Sequence, residues 1–327
     1  MKYRTIGGDP ARRREVSVLS LGAMLFGTIT DEKTSFAILD RYVEAGGTFV
    51  DTSDNYAFWV DGTVGGESET LLGNWRRSRG IGDEVFIATK LGAAPLAPGT
   101  GYIDNPEGLS AAAIRSAVEG SKARLGVESL DLLYAHIPDP KVELAETVRE
   151  FGALVHEGAV GLLGVSNHWA WQVERARAIA RAEGIAGYEV LQYQHSYLRH
   201  RTDLSTELSP DGVCATADGN LLSMVRAERD LALVAYSPLI GGAYMREDKP
   251  LGPGHDHGSR EARLTALREV AASSGATVNQ VVLAWMLGAD VPAIPLVGAS
   301  SVAQLEESLA AVDLELTEEE RARLNEA

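Results

Sequence analysis

The chain has 327 residues, 45% hydrophobic and 23% charged, with a formal net charge of −16. That balance fits a large core under a charged surface and argues against nucleic acid or an anionic membrane as a general partner. No apolar run approaches the roughly 20 residues needed to span a bilayer, the basic N-terminal stretch lacks a signal-like apolar segment, and the single cysteine, Cys214, excludes an internal disulfide, so a cytoplasmic protein is expected.

In chain order, the first residues, up to about Val18, read as a hairpin able to plug the bottom of a barrel. Eight short apolar runs follow: 18–24 (VLSLGAM), 47–51 (GTFVD), 84–90 (EVFIATK), 130–136 (LDLLYAH), 159–167 (AVGLLGVSN), 188–192 (YEVLQ), 231–237 (LALVAYS) and 291–297 (VPAIPLV). Their β-branched and leucine-rich character is that of strands buried on both faces. Helical patterns at 35–47, 110–126, 144–158, 170–184, 221–230 and 260–275 lie between them. Ser110 is a candidate N-cap, and Gly126 and the pair Gly46-Gly47 are candidate C-terminal stops. Eight such units predict an α/β fold, a (β/α)8 TIM barrel forming one domain over residues 1–327, with an open doubly wound sheet as the alternative. Helices at 277–289 and 317–327 are expected to be two extra C-terminal helices. Two Gly- and Pro-rich loops, roughly 91–109 and 238–259, are long enough to carry function.

The polar residues that end these runs point to chemistry. Asp51, Lys90, His136, Ser166 with Asn167, Gln192, and Tyr236 with Ser237 close the second to seventh strands in succession. In a parallel barrel all strand C-termini share one rim, where active sites assemble. Tyr56, five residues beyond Asp51, can return over that rim. An ammonium beside a phenol favours the phenolate and lowers the phenol pKa, while a carboxylate keeps the ammonium charged and oriented. A tyrosine tuned this way can protonate a carbonyl oxygen.

The segments GTFVDTSDNY, VFIATK, LDLLYAH, GLLGVSN, VLQYQ, VAYSPL and VGASSVAQLEES, taken in that order along nearly the whole chain, resemble the aldo-keto reductase superfamily. The resemblance implies a catalytic tetrad of Asp51, Tyr56, Lys90 and His136, with Tyr56 as general acid and His136 orienting the carbonyl. It implies that Ser166, Asn167 and Gln192 hold the nicotinamide carboxamide, that Tyr236 stacks on the ring, and that Ser237 and Leu239 line the pyrophosphate path. Gly298 opens a loop into a helix N-terminus, a ready anion site, and the resemblance places Ser300, Gln304 and Glu307 at the adenosine end. Ser300 and Gln304 stand where many members carry Arg or Lys, and Ser308 where Asn is usual. The cofactor expectation is therefore NADPH with NADH admitted. Met24, Phe58, Trp59 and Trp169 are candidate pocket walls for a small-molecule carbonyl substrate.

The expected reaction is reversible hydride transfer between a reduced nicotinamide and an aldehyde or ketone, with no metal. A slow cofactor-binding redox sensor is the alternative, although pure binding needs no tuned tyrosine. A metal-dependent barrel hydrolase would need converging ligands that Gly22-Ala23-Met24 at the first strand end cannot supply.

Overall fold

The computed structural model describes residues 1–97, 105–205 and 211–327. Two short antiparallel strands, β1 (Tyr3–Ile6) and β2 (Arg14–Ser17), form the N-terminal hairpin. Eight parallel strands then close into a barrel: β3 (Ser20–Gly22), β4 (Phe49–Asp51), β5 (Phe86–Leu91), β6 (Leu130–Ala135), β7 (Val160–Ser166), β8 (Val190–Gln194), β9 (Ala232–Tyr236) and β10 (Ala293–Gly298). Each overlaps an apolar run read from the sequence. Among the described residues no single helix is long and apolar enough to cross a membrane.

Strand alternation explains where the polar residues go. Successive strand residues face opposite sides, so residues two apart share one face. Phe49, Ala88, Tyr134, Val190 and Val234 pack together inside the barrel, with Ile6 and Val16 of the hairpin closing its floor. Their neighbours Val50, Ile87, Leu133, Leu191 and Leu233 point outward under the helices. Two residues beyond each interior residue stand Asp51, Lys90, His136, Gln192 and Tyr236, on the same inward row one layer higher. Gly164 occupies the corresponding interior layer in β7, and Ser166 follows two residues later. A Cβ at Gly164 would sit 2.3 Å from the Tyr134 ring, so only glycine admits that ring.

The surrounding helices are α1 (Glu32–Glu44), α2 (Glu67–Arg79), α3 (Ala111–Leu125), α4 (Leu144–His156), α5 (Ala170–Glu183), α6 (Gly219–Ala227), α7 (Arg260–Ser274), α8 (Val278–Leu287), α9 (Val302–Ala310) and α10 (Glu318–Glu326). Ser110 caps α3 by accepting the Ala113 N–H, and Gly126 ends it in the left-handed region. Gly46, at φ 82°, follows the end of α1 as expected, but that helix begins earlier, at Glu32, capped by Asp31, whose side chain accepts the Thr34 N–H. A further helix without a strong apolar pattern in the sequence is α2, strongly polar overall, which buries Leu71, Leu72 and Trp75.

Two helices do lie outside the barrel's helical layer, but one differs from the expected pair. α8, within 277–289, packs against β10 and α9 and belongs to the layer. Its outer neighbour α7, within 260–275, packs against α8 and α10 instead. The reason is composition: α8 is apolar nearly all round and buries Val281, Val282, Leu283, Ala284 and Met286. α7 is more polar and ties the chain end down, Arg263 donating to the carbonyls of Tyr197 and Ala327. Of the two long loops, residues 98–104 of the first lie outside the described residues.

Candidate active site

Asp51 and Lys90 end up side by side because β4 and β5 are neighbours, with Asp51 paired to Ala88. Both side chains are essentially fully buried and form a direct ion pair. The ammonium has three protons to place, and three acceptors receive them: Asp51 Oδ1, the Thr52 carbonyl at 2.7 Å and the Tyr56 hydroxyl oxygen at 3.2 Å. The second Asp51 oxygen accepts Gln192 Nε2 at 2.6 Å. A buried ion pair is tolerable only when its remaining hydrogen-bonding capacity is met in this way.

The contact between Lys90 and Tyr56 determines what the phenol can do. Lys90 occupies a lone pair on the phenol oxygen, so the hydroxyl proton is turned elsewhere and is available for donation. Burial raises the Tyr56 pKa, and the Lys90 ammonium works against it without cancelling it, with the Asp51 carboxylate adding to the rise. The expected depression by Lys90 is thus present as an opposing pull, while the net direction in the closed, water-poor site is upward. Burial works to deprotonate Lys90, yet Asp51 and Tyr56 more than offset it and hold its pKa above the ordinary value. Burial likewise raises the Asp51 pKa against the pull of Lys90.

His136 follows β6 and meets Tyr56 edge-on, ring centroids 5.9 Å apart. Burial, and then the Lys90 charge, push its pKa well below the usual imidazole value, so the ring is neutral. Its Nδ1 lies 3.2 Å from Ser53 Oγ. Ser53 and Asn55 were not singled out in the sequence, although both lie in the DTSDNY run between two residues that were.

The other rim residues form a continuous polar arc. Ser166 Oγ donates to the Gln192 carbonyl at 2.8 Å, Asn167 Nδ2 to the His136 carbonyl at 3.0 Å, and Tyr236 Oη to Asn167 Oδ1 at 2.9 Å. Asn167 and Ser237 hold left-handed backbone conformations, φ 60° and 51°, uncommon for residues with a Cβ and worth notice beside a site. Leu239 packs partly buried between two core clusters.

The anion-site candidates lie apart, beyond β10. Gly298 ends that strand, and Ser301 caps α9 by accepting the Gln304 N–H. Gln304 folds back so that its side-chain oxygen accepts both the N–H and the hydroxyl of Ser300, at 2.8 and 3.0 Å. Glu307 turns toward the start of α8, where Thr277 Oγ1 donates to it at 2.7 Å, and Ser308 donates to the Gln304 carbonyl at 3.3 Å. The first N–H groups of α9 carry the partial positive charge of a helix start. An amide-and-hydroxyl arc, an aromatic face at Tyr236 and a capped helix N-terminus fit the polar, planar and anionic parts of a nicotinamide dinucleotide.

Four apolar walls were expected. Phe58 and Trp59 pack edge to face, centroids 5.2 Å apart, and Trp59 also meets Tyr56 at 6.2 Å. Met24, after β3, and Trp59 are 42% and 46% exposed, large apolar surface left open at the rim. Trp169 stands just before α5, its backbone N–H donating to Gln172 Oε1.

The family model described as the Aldo/keto reductase family matches residues 18–327. The chain belongs to the aldo-keto reductase family. Norsolorinic acid reductase stcV of Emericella nidulans is 32% identical over 95% of this chain and 78% of its own length. An uncharacterized oxidoreductase of Bacillus subtilis, YrpG, is 31% identical over 100% of this chain and 95% of its own. Among solved structures, the thermostable aldo-keto reductase Tm1743, crystallised with the inhibitor epalrestat, superposes with a TM-score of 0.74 at 22% identity, over 100% of this chain and 99% of that one, which speaks to the fold alone. As an aldo-keto reductase with named reductases among its relatives, the protein is an NAD(P)H-dependent oxidoreductase acting on carbonyl groups of small molecules.

Proposed function

We propose that the protein reduces an aldehyde or ketone to an alcohol, preferring NADPH, with Tyr56 as the general acid. The observation that carries this reading is the Lys90 ammonium, which donates to the Tyr56 oxygen while locked by Asp51. A phenol is too weak an acid to protonate most oxygens at neutral pH. It becomes useful when negative charge develops on the acceptor and an adjacent cation stabilises the phenolate left behind.

The reduced nicotinamide supplies the hydride when bound. Ser166, Asn167 and Gln192 would hold its carboxamide, Tyr236 would underlie its ring, and Ser237 and Leu239 would border the pyrophosphate. Gly298, Ser300, Gln304, Glu307 and Ser308 would shape the adenosine end. His136 lies beside the reacting oxygen. Tyr56 gives its proton to that oxygen as the new C–H bond forms, and Lys90 steadies the resulting phenolate. The reaction needs no metal in this reading, and one barrel domain carries all of it. The lone cysteine and acidic surface suit the cytoplasm.

The walls support a substrate class. Trp59, Phe58 and Met24 present aromatic and apolar surface around Tyr56. Relatives include a norsolorinic acid reductase and an aryl-alcohol dehydrogenase of Pestalotiopsis microspora, the latter 27% identical. Aromatic aldehydes and ketones are therefore the first substrates to try. The test is a panel of aromatic and aliphatic carbonyls assayed with NADPH and NADH side by side. Multi-turnover reduction of aryl carbonyls, faster with NADPH, is the expected result; the absence of turnover across the panel would overturn the reading.

A further inference from the structure

We propose that Tyr134 is a positioning residue whose ring face underlies the Lys90 ammonium and keeps that cation charged and in place in the dry interior of the barrel. This role rests on the reading of Lys90 as the partner of Tyr56, and it adds to the site a residue from the layer below.

The strand register brings the two side chains together. Lys90 of β5 is paired with Tyr134 of β6, so both leave the same inner face of the sheet. Tyr134 is paired in turn with Gly164 of β7. With no side chain at Gly164, the ring lies down across β7, where a Cβ would meet two of its atoms at 2.3 and 2.5 Å. One face is then turned to Lys90, whose Nζ is 5.8 Å from the ring centroid, inside the roughly 6 Å over which an aromatic face attracts a cation. The Tyr56 ring stands 4.9 Å from the same nitrogen, so the ammonium is held between two tyrosine rings.

All three Lys90 protons are already placed, on Asp51, the Thr52 carbonyl and Tyr56. Anything further that stabilises the cation must act on its charge and not through an N–H. The titratable groups facing Lys90 among the described residues are Asp51, Tyr56, His136 and Tyr134. Of these, Tyr134 acts through its ring alone. Its Oη has no hydrogen-bond partner of good geometry. Burial, and then the Asp51 charge, drive its pKa well above the ordinary phenol value against the pull of the Gln192 amide, so it stays a neutral phenol. Tyr134 is fully buried, and removal from water strengthens the attraction between a ring face and a cation.

The test separates the ring's charge distribution from its bulk. Tyr134→Phe removes only the unpartnered hydroxyl and should leave stability and the pH–rate profile unchanged or nearly so. Mono-, tri- and pentafluorinated phenylalanine at position 134 then keep the shape while draining the negative face step by step. Reduction needs the Lys90 ammonium and the Tyr56 proton together, and the two titrate as a unit. With the cation less stabilised, the alkaline limb should move stepwise to lower pH, by roughly half a pH unit to one and a half pH units over the series. That is opposite in sign to the shift expected for loss of the cation itself. The 13Cε resonance of Lys90 in lysine-labelled full-length protein, identified by its loss in Lys90→Met, should titrate earlier in the same order. A limb and a Lys90 titration that stay put along the series, or a Tyr134→Phe variant as impaired as the pentafluorinated one, would overturn the proposal. Failure of the functional reading would show differently, as no carbonyl reduction by the unaltered chain, and the Lys90 titration would still decide the role of Tyr134.

Discussion

The Asp51–Lys90 side of the rim and the Ser300–Gln304 loop are both polar, but their polar groups are satisfied in opposite ways. Lys90 is fully buried and spends all three protons on fixed protein acceptors. The loop before α9 lies in solvent, and its contacts are the local fold-back of Gln304 onto Ser300. In the first region desolvation magnifies every charge and removal of one partner strands another. In the second, water and salt soften each interaction. The reaction's chemistry is therefore expected to tolerate no change, while cofactor preference should be adjustable by single surface substitutions.

Tyr56→Phe is the severest probe of the first region. It keeps the ring that packs on Trp59 and His136 but removes the proton donor, so reduction should fall by roughly 10²–10⁴-fold while cofactor affinity stays nearly unchanged. Single-turnover rates together with a cofactor titration would check this, and near-wild-type turnover would reassign the acid.

Lys90→Met should be next. It strands Asp51 in a buried site and should cost about 3–5 kcal/mol of stability, less to the extent that Asp51 takes up a proton. Removing the cation also removes the pull that opposes burial at Tyr56. The phenol pKa should therefore rise further, and any alkaline limb of the residual reduction rate, where Tyr56 loses its proton, should move to higher pH. Denaturant melts and a pH–rate profile read the two effects separately; an unaltered profile with full activity would break the contrast drawn above.

The exposed loop should respond mildly. Ser301→Ala removes the cap that accepts the Gln304 N–H and should cost about 0.5–2 kcal/mol, seen as a lower melting temperature with kcat little changed. Ser300→Arg should tighten NADPH roughly two- to fivefold over NADH, with the gain shrinking as salt is added. Fluorescence titration of both cofactors at two ionic strengths measures it, and a strong NADH preference in the unaltered chain would mean the loop has been misassigned.

Much of this was legible in the chain itself. The eight apolar runs and the polar residues that end them follow from strand alternation, a local rule that needs no knowledge of the fold. What the runs could not show was which helix covers which strand. α7 and α8 are adjacent in sequence and both are helical, and the choice between layer and exterior fell to the more apolar α8 only when β10 was there to be covered. The resemblance carried by the VGASSVAQLEES run implies Glu307 at the adenosine end, and what the run could not show is that its carboxylate accepts from Thr277, a partner that the packing of α8 against α9 supplies.

The residue types at the rim, and hence the class of chemistry, were set by short-range patterns: an inward-facing position recurs every second residue, so a polar side chain one step beyond the apolar interior must look into the mouth of the barrel. The destination of each proton was decided only by tertiary structure. Gln192 reaches Asp51 across 141 positions of chain, and His136 meets Ser53 across 83. Hydrogen bonds depend on distance and direction to a few tenths of an ångström, and geometry that fine exists only once the barrel has closed.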